Sequence, residues 1–376
     1  MEMEHLVIKP TLACTANCPT CAGRRLLHKN AHRQRQFALE DWMRVLDEAK
    51  ALGAWNLTIS GGEPTLYKQL PELITYGKKR GYFIRLNSNG GLTDLGFAEA
   101  LVDAGLDVAD ISLYSPVAAV HDAMRGAGGL WRKATATISF LVGLKNTYKG
   151  FNVITQTLLC RENYLDFAEL LELHYHLGSS GILISYLEGD FTHQHVLQVD
   201  EIEHFRRHVI PAVLEVCRGL PTPMKSVAAA KFATIFSEEI LSSENWAKGI
   251  YRPRSRLCPV MQKQALVLAN GDVHPCNMVE YVHEPIMGNL FEQSLTALWR
   301  GADWKHFRES LHRYCPFCPM QHHQFVHLRC DNKWVGAARS LLHKLRLERM
   351  DQILLREARR FLHSTFVRQN RHSPPR

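Results

Sequence analysis

The chain has 376 residues, of which 46% are hydrophobic and 22% are charged, an ordinary composition for a folded globular protein. It contains no apolar run of the ~18 residues that a membrane-spanning helix requires, and its first residues are acidic, unlike the basic start of a signal peptide. Because the ten cysteines come without an export signal, we expect a cytoplasmic protein that uses them for metal or cluster binding and not for disulfides.

The amino-terminal half alternates short apolar segments with longer helical ones, which predicts a parallel sheet built from strand–helix units. Right-handed crossovers then curl the sheet into a barrel or part of one. The six predicted strands are His5–Lys9, Trp55–Ser60, Tyr82–Asn87, Val108–Leu113, Phe151–Leu158 and Gly181–Tyr186. The predicted helices between them are Glu40–Leu52, Gln69–Arg80, Leu95–Ala104, Leu130–Leu144 and Leu165–His176.

Three cysteines, Cys14, Cys18 and Cys21, follow the first predicted strand at the spacing Cys-x3-Cys-x2-Cys. Three thiolates on one loop can hold three irons of a four-iron cluster and leave the fourth iron open to a small molecule. The alternative is a structural zinc site, which needs four ligands, but the next candidate, His28, lies seven residues beyond Cys21. The triplet therefore favours an iron–sulfur cluster.

A second motif, Gly61-Gly62-Glu63-Pro64, follows the second predicted strand; alone it is a common turn. Together the two motifs resemble those of the radical S-adenosylmethionine (SAM) superfamily. The resemblance implies an α/β fold with an open (β/α)6 partial barrel, and a [4Fe-4S] cluster that binds SAM at the carboxyl ends of the strands. In that family the Gly-Gly-Glu segment hydrogen-bonds the amino group of SAM, since glycines permit close approach and a carboxylate attracts an ammonium.

The resemblance also suggests further SAM contacts. Asn87 ends the third predicted strand, and Ser112 in the fourth matches a position that often contacts the ribose. Arg125 lies in a segment similar to one of the family and is expected to meet the SAM carboxylate. The chain departs from the family pattern at Thr20, where many members have an aromatic residue, and at Tyr114, where an aspartate is common.

By resemblance, such an enzyme reductively cleaves SAM to a 5'-deoxyadenosyl radical, which takes hydrogen from a C–H bond of the substrate. The electron comes from a reducing donor such as flavodoxin or ferredoxin. Glu188 and Asp190, directly after the sixth predicted strand, are candidate acid–base groups for the substrate, although a solvated loop turn explains them equally well.

The second cysteine group begins with a predicted hairpin, in which Gln264–Ala269 and Asp272–Cys276 flank the turn Asn270-Gly271. The whole group resembles the carboxyl-terminal extension of radical SAM enzymes called SPASM, or its shorter form Twitch. It lacks the further cysteines that a full SPASM set has soon after Cys-x2-Cys. The cysteines of the group are Cys258, Cys276, Cys315, Cys318 and Cys330.

The resemblance implies one auxiliary [4Fe-4S] cluster held by the first four of these cysteines, with Cys330 as a replacement ligand or a spare thiol. The alternative is a zinc ribbon, because paired cysteines on a hairpin also bind zinc and His322 and His323 lie nearby. The isolated Cys160 and Cys217 lie in apolar stretches and are expected to be structural.

We expect four parts: a radical SAM partial barrel over 1–190, a helical bridge over 191–257, a small Cys-rich auxiliary cluster domain over 258–331 and a basic amphipathic helical tail over 332–376. The tail has eleven Lys or Arg and three acids, which accounts for the whole net charge of +8. It is either a docked helix with a solvated cationic face or a surface that attracts an anionic membrane, a phosphorylated ligand or an acidic partner.

Three functions fit these features. The first is a tailoring oxidation of a small polar metabolite, favoured by the single auxiliary cluster and by a first strand that begins within ten residues of Met1. The second is a maturase that modifies a ribosomally made peptide, which the SPASM-like cysteines allow. The third is an iron–sulfur or zinc regulatory protein that binds nucleic acid through the basic tail, but it leaves the SAM motif unexplained.

Overall fold

One open sheet runs through the described part of the chain. A computed structural model describes residues 2–21, 36–92, 94–187, 190–222, 224–249, 263–276, 286–310 and 324–328. Its strands are β1 (His5–Lys9), β2 (Asn56–Ile59), β3 (Phe83–Ser88), β4 (Val108–Ser112), β5 (Asn152–Leu158), β6 (Gly181–Ser185), β7 (Gln264–Leu268), β8 (Asp272–His274), β9 (Gly288–Asn289) and β10 (Gln324–His327). They form one sheet in the order β10-β6-β5-β4-β3-β2-β1-β7-β8-β9.

The six strands from β1 to β6 are parallel and adjacent in chain order. Each predicted strand coincides with one of them to within a residue at either end. The sheet stays open, because β1 and β6 each pair with a further strand instead of with each other. The predicted α/β class with a partial barrel is therefore confirmed. The predicted carboxyl-terminal helix lies outside the described residues.

Helices connect the parallel strands and cover one face of the sheet. Their apolar stripes follow the three-and-four spacing of amphipathic helices. Pro64–Leu66 forms a short 3-10 turn, which follows the Gly-Gly-Glu segment after β2. The helices of this region are α1 (Leu39–Ala51), α2 (Leu70–Lys79), α3 (Leu95–Asp103), α4 (Ala118–Arg125), α5 (Leu130–Leu144) and α6 (Phe167–His176).

The two faces of the sheet contribute to different apolar clusters. Side chains alternate between faces along a strand, and paired residues of neighbouring strands share a face. Leu6 and Ile8 point to the helices and belong to the main core, together with apolar residues of the other strands. Val7 points the other way and packs in a separate small cluster with Leu266 and Leu268. We call this second face the inner wall.

Two strands extend the sheet beyond the six-stranded pattern. β7 pairs in parallel with β1, and β8 folds back on β7 through the predicted Asn270-Gly271 turn, where Gly271 has a φ of +81°. At the other edge, β10 pairs antiparallel with β6. The hairpin prediction is thus confirmed, and the sheet runs on past the predicted start of the auxiliary domain at residue 258. The domain boundaries themselves stay a prediction.

The segment between β6 and β7 is helical where it is described. A 3-10 turn over Asp190–His195 leads to α7 (Val199–His204), α8 (Ile210–Gly219), α9 (Lys225–Ile235) and α10 (Ser243–Ala247). A π turn over Phe205–Val209 joins α7 to α8. Pro211, two residues beyond the end of this π turn, has no N–H to donate to it. Beyond β9 the chain forms α11 (Leu295–Arg300) and α12 (Ala302–Glu309).

Candidate functional site

The first cysteine triplet lies on the loop that follows β1, at the carboxyl end of the parallel strands. Cys14 is exposed, Cys18 is buried and Cys21 is half-buried. The loop makes few hydrogen bonds of its own: the Cys21 N–H donates to the Cys18 carbonyl over 3.2 Å, and the Ala16 N–H points to the Cys14 Sγ at 3.4 Å. Its conformation therefore depends on the segments packed against it.

The two glycines after β2 pack directly on the cysteine loop. The Gly62 N–H donates to the Thr11 carbonyl over 3.0 Å, and the Glu63 N–H to the Ala13 carbonyl over 2.7 Å. A Cβ on Gly62 would lie under 3.0 Å from the carbonyl oxygens of Ala13 and Leu12, closer than real Cβ atoms come. The glycines thus allow two backbones to touch. The close approach of this backbone to SAM, which the resemblance implies, stays a prediction.

The Glu63 carboxylate is buried and fully occupied by protein donors. Its Oε1 accepts hydrogen bonds from the Thr65 N–H at 3.2 Å, the Thr65 hydroxyl at 2.8 Å and the Ser88 hydroxyl at 2.9 Å. Its Oε2 accepts one from the Asn89 N–H at 2.7 Å. A carboxylate has about four acceptor positions. Glu63 therefore ties the end of β2 to the end of β3, and its contact with SAM stays a prediction.

Asn89 connects the end of β3 to the cysteine loop, a role that the sequence analysis missed. Its Nδ2 donates to the Thr15 hydroxyl over 3.0 Å and lies 3.8 Å from the Cys14 Sγ. Its Oδ1 accepts from the Gly91 N–H at 2.7 Å, which fixes the orientation of the amide. The sequence feature that could have indicated this role is the polar run Asn87-Ser88-Asn89 at the end of the third predicted strand.

Helix α4 approaches the same loop from another side. It ends at Arg125, whose carbonyl accepts a hydrogen bond from the Asn17 N–H at 3.0 Å. The next residue, Gly126, has a φ of +59°, and a Cβ there would collide with the Asn17 carbonyl. Sequence patterns did not predict this eight-residue helix.

The Arg125 side chain is buried beside the cysteines. Its guanidinium lies 4.6 Å from the centre of the Tyr114 ring, and its Nε finds no hydrogen-bond partner among the described residues. Burial raises the pKa of the Cys18 thiol, and the charge of Arg125 opposes this rise. Since iron binds the thiolate, Arg125 favours the form of the cysteine that binds a cluster.

His121, one turn before Arg125 on α4, is a buried neutral group. Its Nδ1 accepts a hydrogen bond from the Tyr114 N–H at 3.1 Å. Burial, and secondarily the charge of Arg125, lower the pKa of His121 to about 4. The imidazole is therefore uncharged at neutral pH, with its proton on Nε2.

The other two predicted SAM contacts lie on the inner wall. Asn87 pairs with Asp110 across β3 and β4, and Ser112 stands two residues further along β4. The Oδ1 of Asn87 is buried and accepts no hydrogen bond from a described residue. An acceptor on Asn87 and a donor on Arg125 thus have no partner within the described ranges, near the carboxyl end of the sheet.

Several predicted site residues fall outside the described ranges. These are the acid–base candidate Glu188 and the cysteines Cys258, Cys315, Cys318 and Cys330. Asp190 begins the 3-10 turn after β6, but the position of its side chain is not described. Their roles stay predictions.

Cys276 is the described member of the second cysteine group, and it is buried. Leu266 of β7 pairs with His274 of β8, so Cys276 stands level with Gln264, which pairs with His5. His5 begins β1, whereas the first cysteine loop follows its end. Four residue steps of a strand span ~13 Å, so Cys276 and the first cysteine loop lie toward opposite ends of β1.

Comparisons with known proteins identify both regions. The model of the radical SAM superfamily matches residues 8–174, and that of the SPASM iron–sulfur cluster-binding domain matches residues 258–320. This chain belongs to the radical SAM superfamily. Within it, the chain is a radical SAM enzyme with a SPASM-type extension, which implies a [4Fe-4S] cluster, SAM and an auxiliary iron–sulfur cluster.

Relatives and solved structures agree with this assignment. A PqqA peptide cyclase from Granulibacter bethesdensis is 24% identical over 301 residues, 79% of this chain and 74% of the relative. Streptococcus suis SuiB bound to S-adenosylmethionine has a similar fold, with a TM-score of 0.58 and 15% identity over 82% of this chain. SuiB bound to its precursor peptide SuiA gives a TM-score of 0.57 at 17% identity. The chain spans 66% of the first SuiB chain and 67% of the second.

The residues present fit these cofactors. No three His, Cys, Asp or Glu side chains of the described ranges converge on one metal ion. A four-iron cluster makes a different demand, because each thiolate binds a different iron. Two buried polar atoms without a partner among the described residues also suit SAM: the Arg125 Nε can donate to its carboxylate, and the Asn87 Oδ1 can accept from its amino group. Among the described helices, none has the length and apolar character needed to cross a membrane.

Proposed function

We propose that this radical SAM enzyme modifies a ribosomally made peptide. The observation that carries the proposal is the similarity to several PqqA peptide cyclases, each at 23–24% identity over about four fifths of the chain. The fold likeness to SuiB, which was solved with a precursor peptide, adds support. These comparisons favour the peptide alternative over the small polar metabolite that the sequence analysis put first.

The inner wall offers a polar surface for such a substrate. Thr58 of β2 pairs with Arg85 of β3 halfway along the strands. The Thr58 hydroxyl lies 2.9 Å from the His5 Nε2, whereas the half-buried Arg85 makes no hydrogen bond or ion pair with another described residue. A peptide has carbonyl and carboxylate oxygens that can accept hydrogen bonds from this guanidinium.

The chain's own residues have distinct tasks in the proposed reaction. When bound, the cluster and SAM supply a carbon radical that removes a hydrogen atom from the substrate. Glu63 and Asn89 hold the cysteine loop in position, and Arg125 orients the SAM carboxylate. Val7 and its apolar neighbours exclude water from part of the inner wall. We retain Glu188 and Asp190 as proposed acid–base groups.

The partners other than the peptide also remain proposals. An electron donor such as flavodoxin or ferredoxin supplies the electron for SAM cleavage. For the basic tail, residues 332–376, we propose either a docked helix with a solvated cationic face or a surface that attracts an anionic membrane or a phosphorylated ligand.

The test is to follow a hydrogen atom from peptide to cofactor. Candidate precursor peptides, deuterated at their side chains, are incubated with the reconstituted enzyme, SAM and reductant. We expect deuterium in 5'-deoxyadenosine and a mass change in the peptide. Arg85→Gln is expected to weaken peptide binding about 10-fold, the equivalent of a lost charged hydrogen bond, and to leave SAM affinity unchanged. Deuterium transfer from small polar metabolites, with none from any peptide, contradicts the proposal.

A further inference from the structure

Tyr114 is a buried aromatic residue to which the sequence analysis assigned no role. It lies two residues beyond the end of β4, and its side chain is 8% exposed. Members of the superfamily commonly have an aspartate at this position, so the tyrosine is a departure of this chain. Burial raises the pKa of Tyr114, and its phenol is therefore uncharged at neutral pH.

Hydrogen bonds from two neighbouring segments fix the backbone of Tyr114. Its N–H donates to the Nδ1 of His121 in α4 over 3.1 Å. Its carbonyl accepts from the Asn163 Nδ2 at 2.7 Å, and the same nitrogen donates to the Leu158 carbonyl at the end of β5. The Asn163 amide is oriented in turn by the Cys160 N–H, which donates to its Oδ1 over 3.0 Å. The loop after β4 is thus joined both to α4 and to the loop after β5.

The Tyr114 ring packs against the guanidinium of Arg125. The guanidinium carbon lies 4.6 Å from the ring centre, which is within the range of a cation–π contact. Tyr114 also belongs to a small apolar cluster that includes Met124, Cys160 and Leu187. Because its backbone and its ring are both held, the tyrosine gives the guanidinium a fixed surface to lie on.

Arg125 keeps an uncompensated charge within the described ranges. Its side chain is 8% exposed, it forms no ion pair with a described carboxylate, and its Nε has no hydrogen-bond partner there. The face of an aromatic ring is negative and attracts the cation, but it takes up none of the N–H groups at the edge of the guanidinium. A carboxylate at position 114 could instead accept from those groups and neutralise the charge.

We propose that Tyr114 is a positioning residue whose ring holds the Arg125 guanidinium in place and leaves its N–H groups to the carboxylate of SAM. The proposal rests on the task proposed above for Arg125. It is independent of the class of substrate, because its test measures the binding of SAM without any peptide.

The affinity of ring variants for two ligands tests the proposal. The reconstituted, unreduced enzyme is titrated anaerobically with SAM and with decarboxylated SAM, which retains the adenosine, sulfonium and amino groups. Tyr114→Leu removes the ring, so we expect SAM to bind about 10-fold more weakly, while the affinity for decarboxylated SAM changes by less than about 2-fold. Tyr114→Phe keeps the ring and should keep the wild-type affinity for both ligands.

A double-mutant cycle shows whether Tyr114 acts through Arg125. When Arg125→Gln has already removed the guanidinium, Tyr114→Leu should weaken SAM binding no further. The matched control is Tyr76→Leu, because the Tyr76 ring also lies against a guanidinium, that of Arg80, at 3.3 Å. This control pair is at the end of α2, and its loss should leave both affinities unchanged.

Iron content is measured for every variant, so that loss of the cluster is not mistaken for loss of a SAM contact. If Tyr114→Leu fails to keep its iron, the affinity of Tyr114→Phe for the two ligands decides the matter. The proposal fails if Tyr114→Leu binds SAM like the wild type, if it weakens both ligands equally, or if its effect persists without the guanidinium. It also fails if Tyr114→Phe loses the preference for SAM over decarboxylated SAM.

Discussion

The Glu63→Gln variant tests whether this carboxylate holds the site together or contacts the cofactor directly. The substitution conserves shape but replaces one carboxylate oxygen with an NH2 group. If the amide oxygen occupies the Oε1 position, it keeps the Thr65 and Ser88 bonds, and the NH2 group then faces the Asn89 N–H. A buried unpaired N–H costs about 1–3 kcal/mol, and loss of the charge weakens the remaining bonds. We therefore expect a destabilisation of about 3 kcal/mol.

The assay is urea unfolding of the cluster-free protein, together with iron content after reconstitution. We expect a lower unfolding free energy and poorer cluster retention in the variant, because the bond that holds the Asn89 backbone beside the cysteine loop is lost. The matched control is Glu215→Gln, at a side chain that is 80% exposed, which should change stability by less than about 0.5 kcal/mol. Unchanged stability with greatly weakened SAM binding would refute this reasoning and assign the carboxylate to the cofactor.

Three further predictions concern packing, pH and metal content. Gly62→Ala forces a Cβ into two loop carbonyls, so it should lower the free energy of unfolding by about 2 kcal/mol or more and cause loss of the cluster. The control Gly143→Ala has open space around it in α5 and should leave stability unchanged or raise it. Equal effects of the two substitutions would contradict the close packing at Gly62. Burial lowers the pKa of His121 to about 4, so between about pH 6.5 and pH 4 the unfolded chain binds a proton at this histidine more readily than the folded chain does. The free energy of unfolding should therefore be highest above pH 6.5 and should fall by on the order of 3 kcal/mol as the pH drops to about 4. His121→Asn, which keeps an acceptor for the Tyr114 N–H, should flatten the pH dependence of urea unfolding, and parallel curves would exclude the histidine as its source. Metal analysis should find about eight irons per chain, and about four irons with one zinc would contradict the auxiliary cluster.

The parallel part of the fold could be predicted because its signal is local. Strands β1 to β6 are short apolar runs that alternate with longer amphipathic helices. The spacing of the apolar residues and the length of each segment therefore distinguish the strands from the helices. The pairing of β7 with β1 joins segments more than 250 residues apart and leaves no trace in either one. β10 pairs with β6 across about 140 residues, and its four residues carry too little pattern to predict a strand.

The candidate site divides in the same way. The cysteine triplet and the Gly-Gly-Glu segment have fixed spacings, so they could be found in the sequence. The sequence could not show that Gly62 packs on the cysteine loop or that the Glu63 carboxylate accepts from the Asn89 N–H, since both contacts depend on how separate loops pack. Asn89 was missed for the same reason, because its contact with Thr15 joins residues that lie 74 positions apart.

The most direct test of the account is SAM cleavage by the reconstituted, reduced protein. We predict that the wild-type chain forms 5'-deoxyadenosine, that Cys18→Ala forms none, and that Cys217→Ala, a buried thiol of α8 outside the loop, remains active. Two results would contradict a cluster held on the cysteine loop after β1: the Cys18→Ala variant forms 5'-deoxyadenosine at the wild-type rate, or the wild-type chain forms none.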